Sequence, residues 1–357
     1  MPTPRLELFP DRITANARSV MALCHAHGAQ VAAVTKVTAA HPEVARALAL
    51  GGADMLADSR VSNLASLKAQ NHGLPLLLLR IPTPSQIEAV VREAQLSLNS
   101  SLDTLRALSE AAGRAGVRHQ AIVMVDMGDL REGVWPDRAV DLVREAAKLP
   151  HLEILGLGCN LACYGGVIPS ETNMRKLMEV REACRVASGL PLDLLSGGNS
   201  ANLPLLASGK MPAEINHFRL GEAIILGRNV IDRSPWPGTR QDTCRLVAEV
   251  VELERKPSVP IGETGQDAFG GTPTFVDRGV RARAICNVGR QDVVVDGLDP
   301  VDAGMIVLGG SSDHLIVDVE EGHERVKVGD EIAFYPGYGA LLALSTSPYV
   351  QKIVLPG

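Results

Sequence analysis

The chain predicts a (β/α)8 TIM barrel followed by a smaller C-terminal all-β domain. Three observations carry this. Eight apolar, strand-like runs alternate with helical segments over roughly 200–250 residues, the span such a barrel needs. The first strand–helix turn carries no GxGxxG, which argues against an open dinucleotide-binding sheet. After residue 233 a Pro/Gly-rich break, Ser234-Pro235-Trp236-Pro237-Gly238, leads into strand-like runs separated by glycine, proline and acidic turns. The expected domains are therefore 10–233 and 234–357, with a short N-terminal strand in 1–9 joining the second.

Each element has a local reason. Leu6-Glu7-Leu8-Phe9 alternates apolar and polar and reads as a short strand. Ile13, Ala17, Val20 and Leu23 recur near helical spacing, giving a helix from about 11 to 27. Gln30 to Lys36 is an apolar, β-branched run and the first core strand. Helices at 41–50, 60–70, 84–94, 101–115, 136–148, 170–188 and 200–208 then alternate with strands at 53–58, 75–81, 96–99, 120–126, 152–160, 192–196 and 217–220. Beyond the break, 244–253, 281–288, 304–308, 314–319, 331–334 and 339–344 read as strands.

Composition narrows the function. Net charge is −6 and the isoelectric point about 5.9, so no basic field awaits nucleic acid or an anionic membrane. Aromatics make up 3% of the chain, too few for base-stacking platforms. No apolar run approaches the ~20 residues that cross a bilayer. The start, Met1-Pro2-Thr3-Pro4-Arg5, lacks a signal-peptide pattern, and the expected compartment is the cytoplasm. Cys24, Cys159, Cys163, Cys184, Cys244 and Cys286 form no CxxC pair and read as reduced. His25-Ala26-His27 does not match HExxH, shows no acidic partner in sequence and reads as solvent-facing; no metal is expected.

Polar residues gather where a barrel keeps its chemistry, at the C-terminal ends of strands. Lys36 ends the first; a desolvated lysine there has a lowered pKa and can form a Schiff base. Asp58-Ser59-Arg60 follows the second strand, Arg80 the third and Asn99 the fourth. Asp126 to Gly133, including Arg131, follows the fifth, and Asn160 with Cys163-Tyr164 the sixth. Ser196-Gly197-Gly198-Asn199-Ser200 follows the seventh, and Arg219-Leu220-Gly221-Glu222 belongs to the eighth. A Gly- and Ser-rich turn entering a helix offers amides to phosphate, although a plain strand-to-helix turn has the same composition. A phosphorylated cofactor together with a Schiff-base lysine points to pyridoxal 5'-phosphate.

At this point the chain resembles the fold-type III pyridoxal-phosphate enzymes of the alanine racemase class, and looks most like the ornithine racemase branch. The stretches that carry this are Val34-Thr35-Lys36, Ala57 to Arg60, Met124 to Gly133, Ser196 to Ser200, Arg219 to Glu222, Ser311 to His314 and Gly337 to Leu342, so the resemblance covers nearly the whole chain. It implies amino-acid racemisation in a homodimer whose sites borrow groups from the partner's β domain. It implies that Lys36 holds the cofactor aldehyde, that Asn199, Ser200, Gly221 and Glu222 lie at the phosphate, and that Tyr338 reaches it. Arg219 matches the arginine at the pyridine nitrogen, and Asn160 stands where alanine racemases have a histidine. Arg131 matches the arginine near the substrate carboxylate and cofactor phenolate.

The chain departs from this class at the second acid/base, normally a tyrosine. Val288-Gly289-Arg290-Gln291-Asp292 stands near the expected place. His314 is the candidate instead, beside Asp313, with Tyr338 and Cys163 as alternatives. Glu263 and Asp267 are candidates to bind the distal ammonium of a diamino acid. Ornithine is the leading substrate, with alanine, serine or lysine as alternatives. Two rival functions share the fold: a non-catalytic pyridoxal-phosphate carrier, against which the β domain speaks, and a lyase or decarboxylase, against which Arg219 speaks.

Overall fold

A computed structural model of the chain describes residues 1–357, the side chains of His323 and Glu324 excepted. It divides into two units, Pro10–Gln241 and Met1–Phe9 with Asp242–Gly357. In chain order, β1 (Arg5–Leu8) precedes α1 (Pro10–Ala26), β2 (Gln30–Val34), α2 (Pro42–Leu50), β3 (Met55–Asp58), α3 (Val61–Gln70), β4 (Leu76–Leu78), α4 (Ile87–Glu93), β5 (Leu96–Asn99), α5 (Leu102–Ala115), β6 (His119–Met124) and α6 (Ala139–Ala146). Then come β7 (Leu152–Gly158), α7 (Glu171–Ser188), β8 (Leu194–Gly198), α8 (Leu203–Ala207), β9 (His217–Leu220) and the one-turn α9 (Glu222–Ile225).

Strands β2–β9 pair in parallel and in sequence order, and β9 returns to β2 with Ala33 opposite Leu220, closing the barrel. Side chains two apart along a strand share a face. Ala32 and Val34, Leu96 and Leu98, and Ile122 and Met124 accordingly pack in one cluster. Glycine permits one close approach: a Cβ on Gly156 would lie 1.7 Å from the Leu194 carbonyl oxygen on β8. Outer helices present periodic apolar faces, as in α5, where Leu105, Leu108, Ala111 and Ala112 are buried. Ser170 and Asn173 cap α7 reciprocally.

The second unit is an antiparallel sheet of β10 (Cys244–Pro257), β11 (Val280–Cys286), β12 (Leu298–Pro300), β13 (Ile306–Gly310), β14 (Leu315–Asp318) and β15 (Glu331–Pro336), with α10 (Tyr338–Thr346) and β16 (Gln351–Val354). Its order is β12-β15-β10-β11-β14-β13. β1 joins it, antiparallel to β10 and parallel to β16. Arg5 on β1 binds Glu7 and, bidentately, Glu331.

Several boundaries move. The unit boundary falls at 241/242 rather than 233/234, because the Pro/Gly-rich stretch turns back onto the barrel. Asn16 of α1 accepts from the Arg240 amide and donates to the Arg240 carbonyl at 2.7 and 2.8 Å. Residues 339–344 are helical, not extended. Ala and Leu dominate the run, with no β-branched residue, and Ala340, Leu341 and Leu344 form one buried face. β12 and β16 were not expected as strands. The first core strand stops at Val34, since Thr35 is already in the αR region and its carbonyl accepts from the Thr38 amide at 3.0 Å.

Candidate active site

Lys36 opens a single 3-10 turn, Lys36–Thr38, immediately past β2. Burial holds its amine below the ordinary lysine value; the charges of Cys163, Asp58 and Glu132 act against this, and Arg131 with it. Beside it, Thr35 Oγ1 donates to Asp58 Oδ2 at 2.7 Å, and Asp58 Oδ1 accepts from the Arg60 amide and Asn63. Burial pushes the Asp58 carboxyl up.

The loop after β6 brings Arg131 to the same cluster. Its Nη1 donates to Cys163 Sγ at 2.7 Å, and Nη2 binds Glu132. Cys163 stands in the loop after β7, which wraps the buried carboxylate of Asp129.

Arg219, on β9, is 5% exposed. Its guanidinium binds Ser196 Oγ, the Cys159 carbonyl at 2.7 Å and Asn160 Oδ1 at 3.5 Å. Burial pushes it down to about 10, so it keeps its charge at neutral pH. His217 Nδ1 lies 2.7 Å from the same Ser196 hydroxyl. Asn160 is 8% exposed, and its Nδ2 has no hydrogen-bond partner.

The glycine-rich stretch is not simply a turn, because Ser196–Gly198 are the end of β8. Only Asn199 and Ser200 leave the strand. Asn199 acts as a brace, donating to Leu161 O at 2.8 Å and Asn160 Oδ1 at 3.3 Å while capping the Ala201 amide. Ser200 Oγ faces the amides of Gly221 and Ala223, each at 3.4 Å. A Cβ on Gly221 would meet Val34 Cβ at 3.1 Å, which sets that amide pair against the strand leading to Lys36. The Glu222 carboxylate pairs with Arg233.

Other expected residues lie in the second unit. Tyr338 opens α10. His314 Nδ1 pairs with Asp313 at 3.1 Å, both exposed. Glu263 and Asp267 lie in an exposed loop, where Asp267 accepts from the Phe269 and Gly271 amides at 2.9 and 2.8 Å. Those bonds hold its carboxyl below the usual range. His25 finds an acidic partner that the sequence did not reveal, Asp54 at 2.9 Å, and His27 bonds the Pro212 carbonyl. Among the described residues no group of three or more His, Cys, Asp or Glu could hold a metal ion, and no helix is long and apolar enough to cross a membrane.

Comparison with known proteins decides the family. Residues 10–229 match the alanine racemase N-terminal domain. The chain belongs to the alanine racemase family. It is 42% identical over 355 residues to an ornithine racemase of Acetoanaerobium sticklandii, covering 99% of each protein. It is 39% identical over 353 residues to a lysine racemase of Thermotoga maritima, again covering 99% of each. The crystal structure of an alanine racemase from Streptomyces lavendulae shares the fold, with a TM-score of 0.77 at 20% identity over 100% of this chain and 98% of that one.

The barrel site fits the family's cofactor, pyridoxal phosphate. The unused Asn160 amide donor, the buried Arg219 cation, the Ser200 hydroxyl with two converging amides and the half-buried Lys36 amine match a ring, its nitrogen, a phosphate and an aldehyde. Sequence reasoning gave no role to Asp129, to Ser196 as a partner of Arg219 or to His217, whereas it did point to the amides after Gly221. The placement of Ser196 and His217 at strand ends was a usable signal; their register opposite each other was not visible without the fold.

Proposed function

We propose that this protein is a pyridoxal-phosphate-dependent racemase of a basic amino acid, ornithine first, that interconverts the L- and D-enantiomers by two-base α-proton transfer. The observation that carries it is the half-buried Lys36, within reach of the charges of Arg131, Asp58 and Glu132, on a chain 42% identical along its length to an ornithine racemase. When bound, pyridoxal phosphate draws electrons from the amino acid's α-carbon and makes its proton removable.

The chain's own residues do the rest. Lys36 would hold the cofactor's aldehyde until the substrate amine displaces it, and the freed Nζ would then take up and return the α-proton, which its burial-lowered pKa favours. Arg219 would stand at the ring nitrogen, where a cation that keeps its charge at neutral pH would oppose protonation and so favour proton return over decarboxylation. Asn160 would lie against the ring, and Ser200, whose Oγ accepts from the Gly221 and Ala223 amides, would hold the phosphate. Arg131 orients the substrate carboxylate through its forked donors. The β unit, in a homodimer, supplies Tyr338 to the phosphate, with Asp313, Glu263 and Asp267 toward the substrate. The compartment we assign is the cytoplasm, which six free thiols suit.

The test is a panel of single amino acids incubated with the holoenzyme and resolved by chiral chromatography. D-ornithine formed from L-ornithine, and lost with Lys36→Ala, is the expected result. Activity on alanine or serine alone removes the role given to Glu263 and Asp267. No product from any amino acid, with cofactor bound, returns the chain to the carrier function.

A further inference from the structure

We propose that Cys163 is the second acid/base, moving the α-proton on the face opposite Lys36; this rests on the racemase function proposed above. A planar α-carbon reprotonated by one group on one face returns the starting enantiomer, so racemisation needs a second proton carrier. Val288 to Asp292 contains no tyrosine to supply it.

Cys163 is held in place by a built loop. The Asp129 carboxylate, with no exposed surface, accepts from the amides of Cys163 at 3.3 Å, Tyr164 at 2.9 Å and Val167 at 3.1 Å. Ala162 takes a left-handed φ of 49°, uncommon for a residue with a Cβ, and its amide donates to the Val167 carbonyl at 2.8 Å. Gly165 closes on Asp129; a Cβ there would lie 2.7 Å from the Asp129 carbonyl oxygen.

The loop sets the sulfur 2.7 Å from Arg131 Nη1, within the charged cluster around Lys36. A guanidinium only donates, so the sulfur accepts that bond and any proton on it points elsewhere. The same strand-to-loop segment carries the buried, unpartnered Asn160 Nδ2, an independent mark of a ligand. Cys163 is exposed, whereas the other five cysteines are buried.

For one enantiomer the α-C–H bond breaks and an N–H bond forms on Lys36. The electron pair stays with the α-carbon until the Cys163 S–H bond breaks and its proton arrives on the other face. For the other enantiomer the thiolate removes the proton and the Lys36 ammonium returns one.

Wild-type holoenzyme, Cys163→Ala, the near-isosteric Cys163→Ser and His314→Ala are compared in deuterated water. Each enantiomer of the fastest wild-type substrate is supplied separately. With Cys163→Ala, racemisation falls at least about 100-fold. One enantiomer still exchanges its α-proton with retention through Lys36, and the other exchanges at least about 100-fold more slowly. Cofactor absorbance matches wild type. In wild type, iodoacetamide labels residue 163, and saturating substrate slows the labelling. Racemisation by Cys163→Ala within about threefold of wild type overturns the inference. So does an equal loss of exchange for both enantiomers, or single-enantiomer exchange produced by His314→Ala instead. Failure of the racemase function itself is separate: it appears as wild type that neither racemises nor exchanges any amino acid.

Discussion

The barrel buries two histidines in their neutral form, and its stability falls on acidification by a calculable amount. His119 sits 2.7 Å from Ser97 Oγ and is pushed down to about 4 by burial. His217 sits 2.7 Å from Ser196 Oγ and is pushed down to about 3 by burial, with the charge of Arg219 acting the same way. Unfolded, both titrate near the ordinary value of about 6.5. Below that pH the unfolded chain binds protons that the folded chain refuses, so unfolding is favoured as pH falls; the loss develops from about 6.5 down to the folded values. Between pH 7 and pH 5 each histidine contributes a loss of about 2 kcal/mol, or about 4 kcal/mol together. Both tryptophans, Trp135 and Trp236, lie in the barrel unit, so guanidinium denaturation followed by their fluorescence reports on it. His217→Asn and His119→Gln place amide groups near the bonded ring nitrogens, and each should remove about 2 kcal/mol of the pH dependence. Variants with the wild-type loss between pH 7 and pH 5 would refute the argument.

Three further outcomes follow from the geometry. Ser200→Ala removes the hydroxyl facing the Gly221 and Ala223 amides and should weaken pyridoxal-phosphate affinity about tenfold in a fluorescence titration; unchanged affinity would remove Ser200 from the phosphate. Gly156→Ala drives a Cβ to 1.7 Å from the Leu194 carbonyl and should destabilise the barrel by about 3 kcal/mol or more, read from the fluorescence midpoint, with a wild-type midpoint as the contrary result. Asp129→Asn exchanges an acceptor of several amides for an amide group, loosening the Cys163 loop; kcat should fall while cofactor affinity holds, and loss of cofactor binding would contradict that local role.

The rival functions separate on particular residues. A lyase or decarboxylase gains from a carboxylate at the ring nitrogen; the racemase function proposed above gives that place to Arg219, a buried cation held by Ser196 and the Cys159 carbonyl. A carrier needs only the cofactor site, whereas this chain devotes residues 242–357, together with β1, to a second unit.

The sequence by itself determined the alternation of strands and helices, because period-two and period-3.6 patterns are local. It placed Lys36, Arg131, Asn160, Ser200 and Arg219 at or just past strand ends for the same reason, and of these Arg219 reaches Asn160 at 3.5 Å while Arg131 acts on Lys36 by its charge. It misread residues 339–344, where an Ala/Leu run suits a short strand as well as a helix until its neighbours select the face to bury. Only the tertiary structure decided which polar groups are already taken. Asn199 serves its neighbours and Asp267 Oδ1 its own turn, which leaves Asp267 Oδ2 for the substrate role proposed above, while Asn160 Nδ2 stays unpaired. It also decided that Cys163 meets Arg131, 32 residues away along the chain. Hydrogen-bond partners across adjacent barrel strands depend on register and loop closure, which are non-local and leave no period in the sequence.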